Sequence, residues 1–325
     1  MKIKAIALLS GGLDSILAAR LILDQGIEVE GVTFETPFFG ARKARKAAEK
    51  IGLSLVTINI TEEHLDMLKA PRYGYGKNMN PCIDCHTLML NIAGKRMEET
   101  GADFIFTGEV LGQRPMSQTR QSLVLVAKNS GYRDYILRPL SAKLLAETKP
   151  ETEGKIDRQK LLDIQGRSRK HQIEMAKNYG ITEYSTPAGG CLLTDPMFSK
   201  RLQDLFEHHG DFRISDIELL KFGRHFRSSK TTKIIVGRNS TDNKAIQRLY
   251  HEGDIIVHMT HFPGPTVLVP HGGDNKACSH AAAICARYSD APKDVETNVT
   301  CQTGGNITLI TTKASLREDI EQWMI

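Results

Sequence analysis

The first 140 residues alternate short apolar runs with longer stretches in which apolar residues recur at helical spacing. Runs of this length and composition are typical of buried strands, and the stretches between them of amphipathic helices. The pattern predicts strands at residues 3–9, 29–34, 54–58, 104–107 and 135–137, and helices at 14–25, 41–51, 86–100 and 118–130. This rhythm predicts an α/β fold with a doubly wound parallel sheet, in which ligands bind at the carboxyl ends of the strands.

The pattern changes near residue 222, where short β-rich segments replace the longer alternation. Helices are predicted before this change at residues 167–179 and 196–209. Beyond it, the pattern predicts strands at 233–236, 254–258, 266–269, 297–301 and 306–311, and helices at 242–250, 276–288 and 316–324. We therefore expect two domains, a larger α/β domain over residues 1–221 and a smaller α+β module over residues 222–325.

Composition and charge narrow the class of protein. The chain has 325 residues, 40% of them hydrophobic, and a formal net charge of +5, which suits an anionic partner such as RNA. No signal-peptide pattern precedes the first strand, and no apolar run is long enough to cross a membrane. We therefore expect a cytoplasmic protein without a membrane partner, whose 6 cysteines are reduced, metal-bound or catalytic.

The segment SGGLDS, residues 10–15, lies between the first predicted strand and the first predicted helix. Gly11 and Gly12 permit a tight turn and are expected to expose backbone N–H groups, while Ser10 and Ser15 add hydroxyls. The start of the helix behind them has unsatisfied donors and the positive end of the helix dipole, which attract anions. The turn therefore predicts a phosphate-binding site, with an ordinary structural turn as the alternative.

SGGLDS resembles the SGGxDS signature of the PP-loop ATP pyrophosphatase superfamily. The resemblance implies that the loop binds the β- and γ-phosphates of ATP as a leaving pyrophosphate, while the substrate is adenylylated. It also implies Mg²⁺, with Asp14 near the ion. Phe34 ends the second predicted strand and is expected to form a wall for adenine. Gly108 and Glu109 follow another strand, at the edge where the nucleotide should bind.

Three cysteines of the first domain predict metal or sulfur chemistry. Cys82 and Cys85 form a C-x-x-C at the start of a predicted helix, a position that lowers the pKa of a thiol and favours thiolate. Cys191 follows two glycines in AGGCLL. Zinc with His86 or another group as a further ligand, a [4Fe–4S] cluster with one open iron, and a persulfide with a resolving cysteine all remain open. We favour the cluster, because C-x-x-C plus one distant cysteine suits ligation at three points.

Longer segments of the first domain resemble tRNA-thiolating enzymes. TGEVLGQRPMSQTRQSL, residues 107–123, resembles a segment of ThiI-type tRNA 4-thiouridine synthases. NPCIDCHTLML and GGCLLT resemble the two cysteine segments of MnmA-type tRNA 2-thiouridylases, in which the cysteines matching Cys85 and Cys191 handle sulfur. The resemblance implies an ATP-dependent tRNA sulfurtransferase with Asp14, Cys85 and Cys191 as catalytic residues. Its partners would be tRNA and a sulfur donor, either sulfide or a persulfide carrier.

The second module resembles the R domain of NFACT-type RNA-binding proteins in IIVGRNSTDNKAI and DIIVHMTHFPGPTVLVP. Cys278, Cys285 and Cys301 are expected to pack in its core. Several cations cluster around the start of the module: Arg224, Arg227, Lys230, Lys233 and Arg238. Such a cluster is usually a solvated face, but the resemblance favours contact with RNA.

Two other functions remain open at this point. Other PP-loop synthetases let ammonia attack an adenylated substrate, a reaction that needs no set of three cysteines. A nucleotide-regulated RNA-binding protein without catalytic activity would account for the second module but not for the cysteines.

Overall fold

The computed structural model describes residues 2–184 and 190–325. The chain divides into two compact units, the first ending at Thr194 and the second beginning at Asp195. The second unit therefore starts with two helices, Pro196–His208 and Ile214–Leu219, ahead of the β-rich segments. The domain assignment 1–221 and 222–325 stays a prediction. No helix in residues 2–184 or 190–325 is long and apolar enough to cross a membrane.

The first unit is built on a parallel sheet. Its strands are β1 (Lys4–Leu8), β2 (Glu28–Glu35), β3 (Ser54–Asn59), β4 (Phe104–Thr107) and β5 (Ile136–Leu137). They form a 5-stranded sheet in the order β3-β2-β1-β4-β5, with parallel pairing throughout. The chain adds strands first on one side of β1 and then on the other, so the order reverses between β1 and β4. This arrangement confirms the predicted doubly wound sheet, and a reversal of this kind is where such folds bind ligands.

Helices cover both faces of this sheet. They are α1 (Leu13–Leu23), α2 (Arg42–Ile51), α3 (Thr61–Lys69), α4 (Cys82–Thr100), α5 (Arg120–Ser130), α6 (Lys149–Thr152) and α7 (Lys170–Asn178). Ala5 and Ala7 of β1 pack in one apolar cluster with α1, α2 and α7. Ile6, which points the other way, packs with α4 and α5. The central strands β1 and β4 are buried on both faces, which explains why their sequences are almost continuously apolar.

The second unit is built on an antiparallel sheet. Its helices are α8 (Pro196–His208), α9 (Ile214–Leu219), α10 (Ser240–Arg248), α11 (Asn275–Arg287) and α12 (Arg317–Glu321). Its strands are β6 (Arg224–Arg227), β7 (Lys233–Val236), β8 (Ile255–Met259), β9 (Val267–Val269), β10 (Thr297–Thr303) and β11 (Asn306–Thr312). They form a 6-stranded sheet in the order β11-β10-β8-β9-β7-β6. Helix α11 packs on one face and α10 on the other, as expected of an α+β module.

The three cysteines of the second unit lie where the sequence predicted. Cys285 of α11 and Cys301 of β10 are buried in the apolar cluster between helix and sheet, and Cys278 packs against that cluster. Burial, together with the neighbouring Cys278, raises the pKa of Cys301 to about 12. Burial also raises the pKa of Cys285 to about 12, so Cys285 and Cys301 are protonated core groups.

Candidate functional site

The turn between β1 and α1 depends on close backbone approaches that only glycine allows. Gly11 has φ +74°, and a Cβ on it would lie 2.3 Å from the carbonyl carbon of Lys43. Gly108, just after β4, is similarly confined, because its Cβ would lie 2.4 Å from the backbone N of Ser15. The carboxyl end of β4 therefore lies directly against the first turn of α1, which brings these predicted site residues together.

The two hydroxyls of SGGLDS form a small network within the turn. The Ser15 hydroxyl donates to the carbonyl oxygen of Gly12 at 2.8 Å, and the Ser10 hydroxyl donates to that of Ser15 at 3.3 Å. Ser10 Oγ also accepts from the backbone N–H of Gly12 at 3.3 Å. Gly12 is the residue that precedes α1, and no side chain caps the helix. The turn is thus already formed, and the helix start is not blocked by a capping side chain.

Asp14 is held by two side chains from distant parts of the chain. Gln113 donates from Nε2 to Asp14 Oδ2 at 2.7 Å, and Arg169 donates to Oδ1 at 3.2 Å. Gln172 of α7 in turn donates to Gln113 Oε1 at 3.0 Å. Sequence analysis did not single out any of these partners. A guanidinium beside the loop adds positive charge where an anionic ligand is predicted to bind.

The loop that carries Arg169 is anchored to the segment after β4. The backbone N–H of Gly166 donates to the carbonyl oxygen of Leu111 at 2.7 Å. Arg169 Nε is buried and has no hydrogen-bond partner in the described residues, and the Arg169 side chain is 14% exposed. One donor of this guanidinium is therefore available to a ligand at the turn.

Glu109 is a buried carboxylate at the end of β4. Arg138 Nε donates to its Oε2 at 2.9 Å, Thr107 donates to the same oxygen at 3.1 Å, and His86 Nδ1 lies 3.0 Å from Oε1. Burial would raise the pKa of Glu109, but the Arg138 guanidinium and the His86 ring outweigh it and lower that pKa to about 2. Because His86 lies in the first turns of α4, Glu109 ties the C-x-x-C helix to the strand end beside the phosphate turn.

We expect Glu109→Gln to weaken the fold by about 3–5 kcal/mol at neutral pH, because the buried Arg138 charge would lose its partner. Since the pKa of Glu109 is lowered from 4.5 to about 2, its contribution to stability is complete above pH 4.5 and is lost as pH falls towards 2. Urea unfolding followed by circular dichroism at several pH values measures both effects. Glu99→Gln removes an exposed partner of Arg96 and is the control, with an expected loss of about 1 kcal/mol or less.

Phe34 lies near the end of β2, the strand that pairs with β1 just before the turn. Its side chain is 6% exposed and packs with Ile58, Leu90 and their neighbours in the core between the sheet and α4. Its predicted contact with adenine stays a prediction.

The structure brings the three cysteines of the first unit together. Cys82 and Cys85 occupy the first turn of α4. Two hydrogen bonds hold the segment after Cys191 in place: the Leu192 N–H donates to the Phe38 carbonyl oxygen at 3.0 Å, and the Asn78 side chain donates to that of Thr194 at 2.7 Å. Gly189 precedes this segment and lies outside the described residues.

The cysteine pKa values differ from what the helix start predicted. Burial, followed by the neighbouring Cys191 and Cys82, raises the pKa of Cys85 well above its usual value. Burial also raises the pKa of Cys191 to about 11. The expectation of a lowered pKa at the helix start is therefore wrong for Cys85, because burial outweighs the helix dipole. In this state of the protein Cys85 and Cys191 are thiols rather than thiolates.

Two further side chains contact these thiols. Asn80 donates from Nδ2 to Cys82 Sγ at 3.3 Å, and His64 Nε2 of α3 lies 3.5 Å from Cys85 Sγ. His64 is fully buried, with its ring centroid 5.4 Å from those of Phe38 and Phe39. Burial lowers the pKa of His64 to about 4, so the ring is neutral. The sequence did not predict this contact, because His64 is the only histidine of the segment TEEHLDMLK and matches no metal-binding or catalytic motif there.

The donor set of this site is suited to a thiolate-bound group, but its geometry is not that of a metal centre. Three thiols converge, which is the number that a [4Fe–4S] cluster with one open iron requires. Among the described residues, however, no group of three or more histidine, cysteine, aspartate or glutamate side chains is placed to hold a metal ion. His86, considered as a further zinc ligand, is paired with Glu109 instead.

The basic cluster of the second unit is largely paired internally. Lys233, 3% exposed, and Arg227 both contact the Asp204 carboxylate, at 2.8 and 2.7 Å. Arg238 pairs with Asp242 at 2.7 Å, and the Arg224 guanidinium lies 4.6 Å from the centroid of the Tyr288 ring. Burial would raise the pKa of Asp204, but its two cationic partners lower it to about 2. Arg227 and Lys233 are therefore held by an acid that α8 supplies and are not solvated cations. Contact of this module with RNA stays a prediction.

Replacing Asp204 by asparagine should destabilise the second unit by about 3–5 kcal/mol, since two buried cations would lose their counter-charge. Trp323 is the one tryptophan of the chain and packs against the core of this unit, so its fluorescence reports on unfolding there. Glu218→Gln, which breaks the more exposed pair with Lys221, serves as a control with an expected loss near or below 1 kcal/mol. A similar small loss for the Asp204 variant would contradict the assignment of a buried ion triad.

The fold and the turn define the first unit as an α/β domain of the PP-loop type. Residues 1–144 match the family described as thiamine biosynthesis protein (ThiI), and residues 223–324 match the NFACT protein RNA binding domain. The two matches confirm both resemblances predicted from the sequence, that of residues 1–144 to the ThiI family and that of residues 223–324 to the NFACT family.

Curated relatives match only part of the chain. A probable tRNA sulfurtransferase of Caldanaerobacter subterraneus is 32% identical over 147 residues, covering 42% of this chain and 36% of that protein. The tRNA-specific 2-thiouridylase MnmA of Clostridium acetobutylicum is 34% identical over 128 residues, covering 33% of this chain and 36% of that protein. The chain therefore spans about a third of the length of these relatives. Among solved structures, a 4-thiouridine synthetase–RNA complex with bound ATP is 26% identical, with a TM-score of 0.39, covering 59% of this chain and 45% of that chain.

Proposed function

We propose that this protein is an ATP-dependent tRNA sulfurtransferase that replaces a carbonyl oxygen of a uridine with sulfur. One observation supports this most directly: the phosphate-type turn and the three-thiol site are joined through consecutive residues at the end of β4. Gly108 packs on the turn, and Glu109 binds His86, the residue after Cys85. Activation by ATP and attack by sulfur would therefore take place at the same carbonyl group of the uridine.

The turn is suited to the triphosphate of ATP. The backbone N–H groups at the start of α1 and the hydroxyls of Ser10 and Ser15 would bind the pyrophosphate portion, with Arg169 adding positive charge. Asp14, a single carboxylate beside hydroxyls, is suited to Mg²⁺ that keeps most of its contacts with phosphates and water. When bound, Mg²⁺ neutralises the charge that develops on the phosphates.

Adenylylation solves the central difficulty of this reaction. Oxide or hydroxide is a poor leaving group, so sulfur cannot simply displace the carbonyl oxygen of a uridine. The uridine oxygen would attack the α-phosphorus, form a new P–O bond and release pyrophosphate. The oxygen then leaves as part of AMP, a competent leaving group, when a sulfur nucleophile attacks the ring carbon.

Two routes for the sulfur remain within this proposal. In the first, Cys82, Cys85 and Cys191 would together ligate a [4Fe–4S] cluster; the number of thiols supports it, and their present geometry does not. In the second, a persulfide carrier transfers its outer sulfur to the Cys191 thiol and is released as a thiol, and the resulting Cys191 persulfide forms the C–S bond as AMP leaves. The Cys85 sulfur then attacks the S–S bond, which releases thiolated uridine and leaves a Cys85–Cys191 disulfide for a reductant to restore. The proximity of these two sulfurs supports this second route.

The test combines the protein with a transcribed tRNA, Mg·ATP and a sulfur donor, either sulfide or a persulfide carrier with a reductant, and measures pyrophosphate and thiolated nucleoside. We expect both products with at least one of the two donors, in equal amounts and only with tRNA present. Omission of the sulfur donor should abolish the thiolated nucleoside. Release of pyrophosphate with ammonia in place of sulfide, together with an aminated nucleoside, would favour the synthetase alternative. Binding of tRNA without pyrophosphate release would favour an RNA-binding protein that lacks catalysis.

A further inference from the structure

Helix α2 has two chemically different sides. Ala44, Ala47 and Ala48 are buried against the rest of the first unit. The exposed side carries five cations and one acid: Arg42, Lys43, Arg45, Lys46, Glu49 and Lys50. Because the residues on the buried side are small, the helix packs close to the core, and its cationic side forms part of the protein surface.

Part of this charge is not compensated within the protein. Arg45 lies 3.6 Å from Glu35, and Lys50 pairs with Glu183. Arg42, Lys43 and Lys46 form no ion pair within residues 2–184, although Lys46 lies near enough to Glu183 to help lower the pKa of that carboxyl. Three cations on one exposed stripe repel one another, and an anionic partner would relieve that repulsion.

The first turn of α2 lies directly beside the phosphate turn. Gly11 approaches Lys43 so closely that a Cβ on Gly11 would lie 2.3 Å from the carbonyl carbon of Lys43. With about 1.5 Å of rise per residue, Arg42 and Lys46 lie about 6 Å apart along the axis of α2 (Arg42–Ile51). The long side chains of a basic strip of that length can contact neighbouring phosphates of one nucleic-acid strand.

We propose that the basic face of α2, formed by Arg42, Lys43 and Lys46, binds the phosphate backbone of the tRNA strand beside the uridine to be modified. This inference rests on the proposed function, because it assumes that a uridine reaches the turn. The neighbouring phosphates of such a nucleotide must then lie close to α2. In the second unit, by contrast, Arg227, Lys233 and Arg238 are already paired with acids.

The test compares two triple variants of equal charge change. Arg42→Ala/Lys43→Ala/Lys46→Ala removes the basic face. Lys95→Ala/Lys128→Ala/Arg133→Ala removes one arginine and two lysines, all exposed, from the region of α4 and α5 on the opposite face of the sheet. Each protein is titrated with a transcribed tRNA at several salt concentrations, and separately with pyrophosphate.

We expect the α2 variant to bind tRNA about 10- to 100-fold more weakly than the parent. The slope of log affinity against log salt concentration should be smaller by about 2, because loss of three phosphate contacts means that fewer counterions are released on binding. The control variant should lose less than about 3-fold. Pyrophosphate affinity should stay unchanged in both, because the altered side chains are exposed. If the triple variant unfolds, Arg42→Ala and Lys46→Ala are measured singly, each with an expected loss of about 3-fold.

Several outcomes would overturn the inference. Equal tRNA affinities for the two variants would exclude α2 while leaving the proposed function intact. A parallel loss of pyrophosphate affinity would assign the face to the nucleotide site. Loss of binding to phosphatidylglycerol vesicles, with unchanged binding to tRNA, would assign it to a membrane surface. If the parent protein does not bind tRNA at all, the proposed function itself fails.

Discussion

Replacing Asp14 by asparagine is expected to lower tRNA-dependent pyrophosphate release by about 100- to 1,000-fold, the range typical for loss of one group that stabilises transition-state charge. Asparagine has nearly the same shape, and its one side-chain oxygen can still accept the hydrogen bond from Arg169, whereas its NH2 group faces Gln113 and that hydrogen bond is lost. The fold should persist with a slightly lower melting temperature, because one hydrogen bond contributes about 1 kcal/mol. The substitution removes one negative charge beside the phosphate turn, and Mg²⁺ would need that charge to bind there.

The matched control is Asp24→Asn, at the other end of the same helix. Asp24 lies at the C-terminal end of α1, where it accepts from the Tyr179 hydroxyl at 2.6 Å, away from the turn. We expect pyrophosphate release in this variant to stay within about 3-fold of the parent, since an exposed hydrogen bond contributes little. Unchanged release in Asp14→Asn as well would mean that SGGLDS is only a structural turn.

Strands β1 and β4 could be predicted because the sheet is covered on both faces at its centre, which makes their sequences almost continuously apolar. Residues 104–107 match β4 in the structure, and the other four strands differ only at their ends. Helix α3 was missed for the opposite reason. Its segment TEEHLDMLK buries only Leu65 and Leu68 among its apolar residues, alongside His64 and Thr61, too few to produce a helical pattern.

The phosphate turn was predictable because it depends on neighbours in sequence: two glycines, two serines and the start of a helix. The partners of Asp14 were not, since Gln113 and Arg169 reach it only through the sheet order and the loop before α7. The internal pairing of the basic cluster could not be predicted for the same reason. Lys233 is paired with Asp204 of α8, a residue distant in sequence that only the fold places against it.

Cys85 of α4 shows that position at a helix start alone predicts the wrong direction for the pKa shift of a thiol. A helix start should lower the pKa of a thiol, but the burial of Cys85 depends on the loop after Phe38 and on the distant Cys191 segment. A sulfur site buried by distant segments can exclude water from an adenylate. The raised pKa means that a bound metal, or a cation brought by the substrates, would be needed to stabilise the thiolate.

Single alanine substitutions of the three site cysteines are expected to separate the two sulfur routes. If a cluster is present, Cys82→Ala, Cys85→Ala and Cys191→Ala should each abolish tRNA thiolation and the visible absorbance of the anaerobically purified protein, because two thiolates cannot hold the cube stably. The three losses should be similar in size. Cys278→Ala, in the core of the second unit, is the control and should retain the activity of the parent.

The persulfide route predicts a different pattern for the same variants. Cys85→Ala and Cys191→Ala would be inactive, whereas Cys82→Ala would keep activity near that of the parent, and activity lost in air would return with reductant. The decisive measurement is therefore the thiolation rate of Cys82→Ala together with the iron content of the parent. We expect an inactive variant and an iron-containing parent, since C-x-x-C plus one distant cysteine supplies one thiol more than a persulfide relay uses. An active Cys82→Ala variant and an iron-free parent would exclude the cluster and assign sulfur transfer to Cys191 and Cys85.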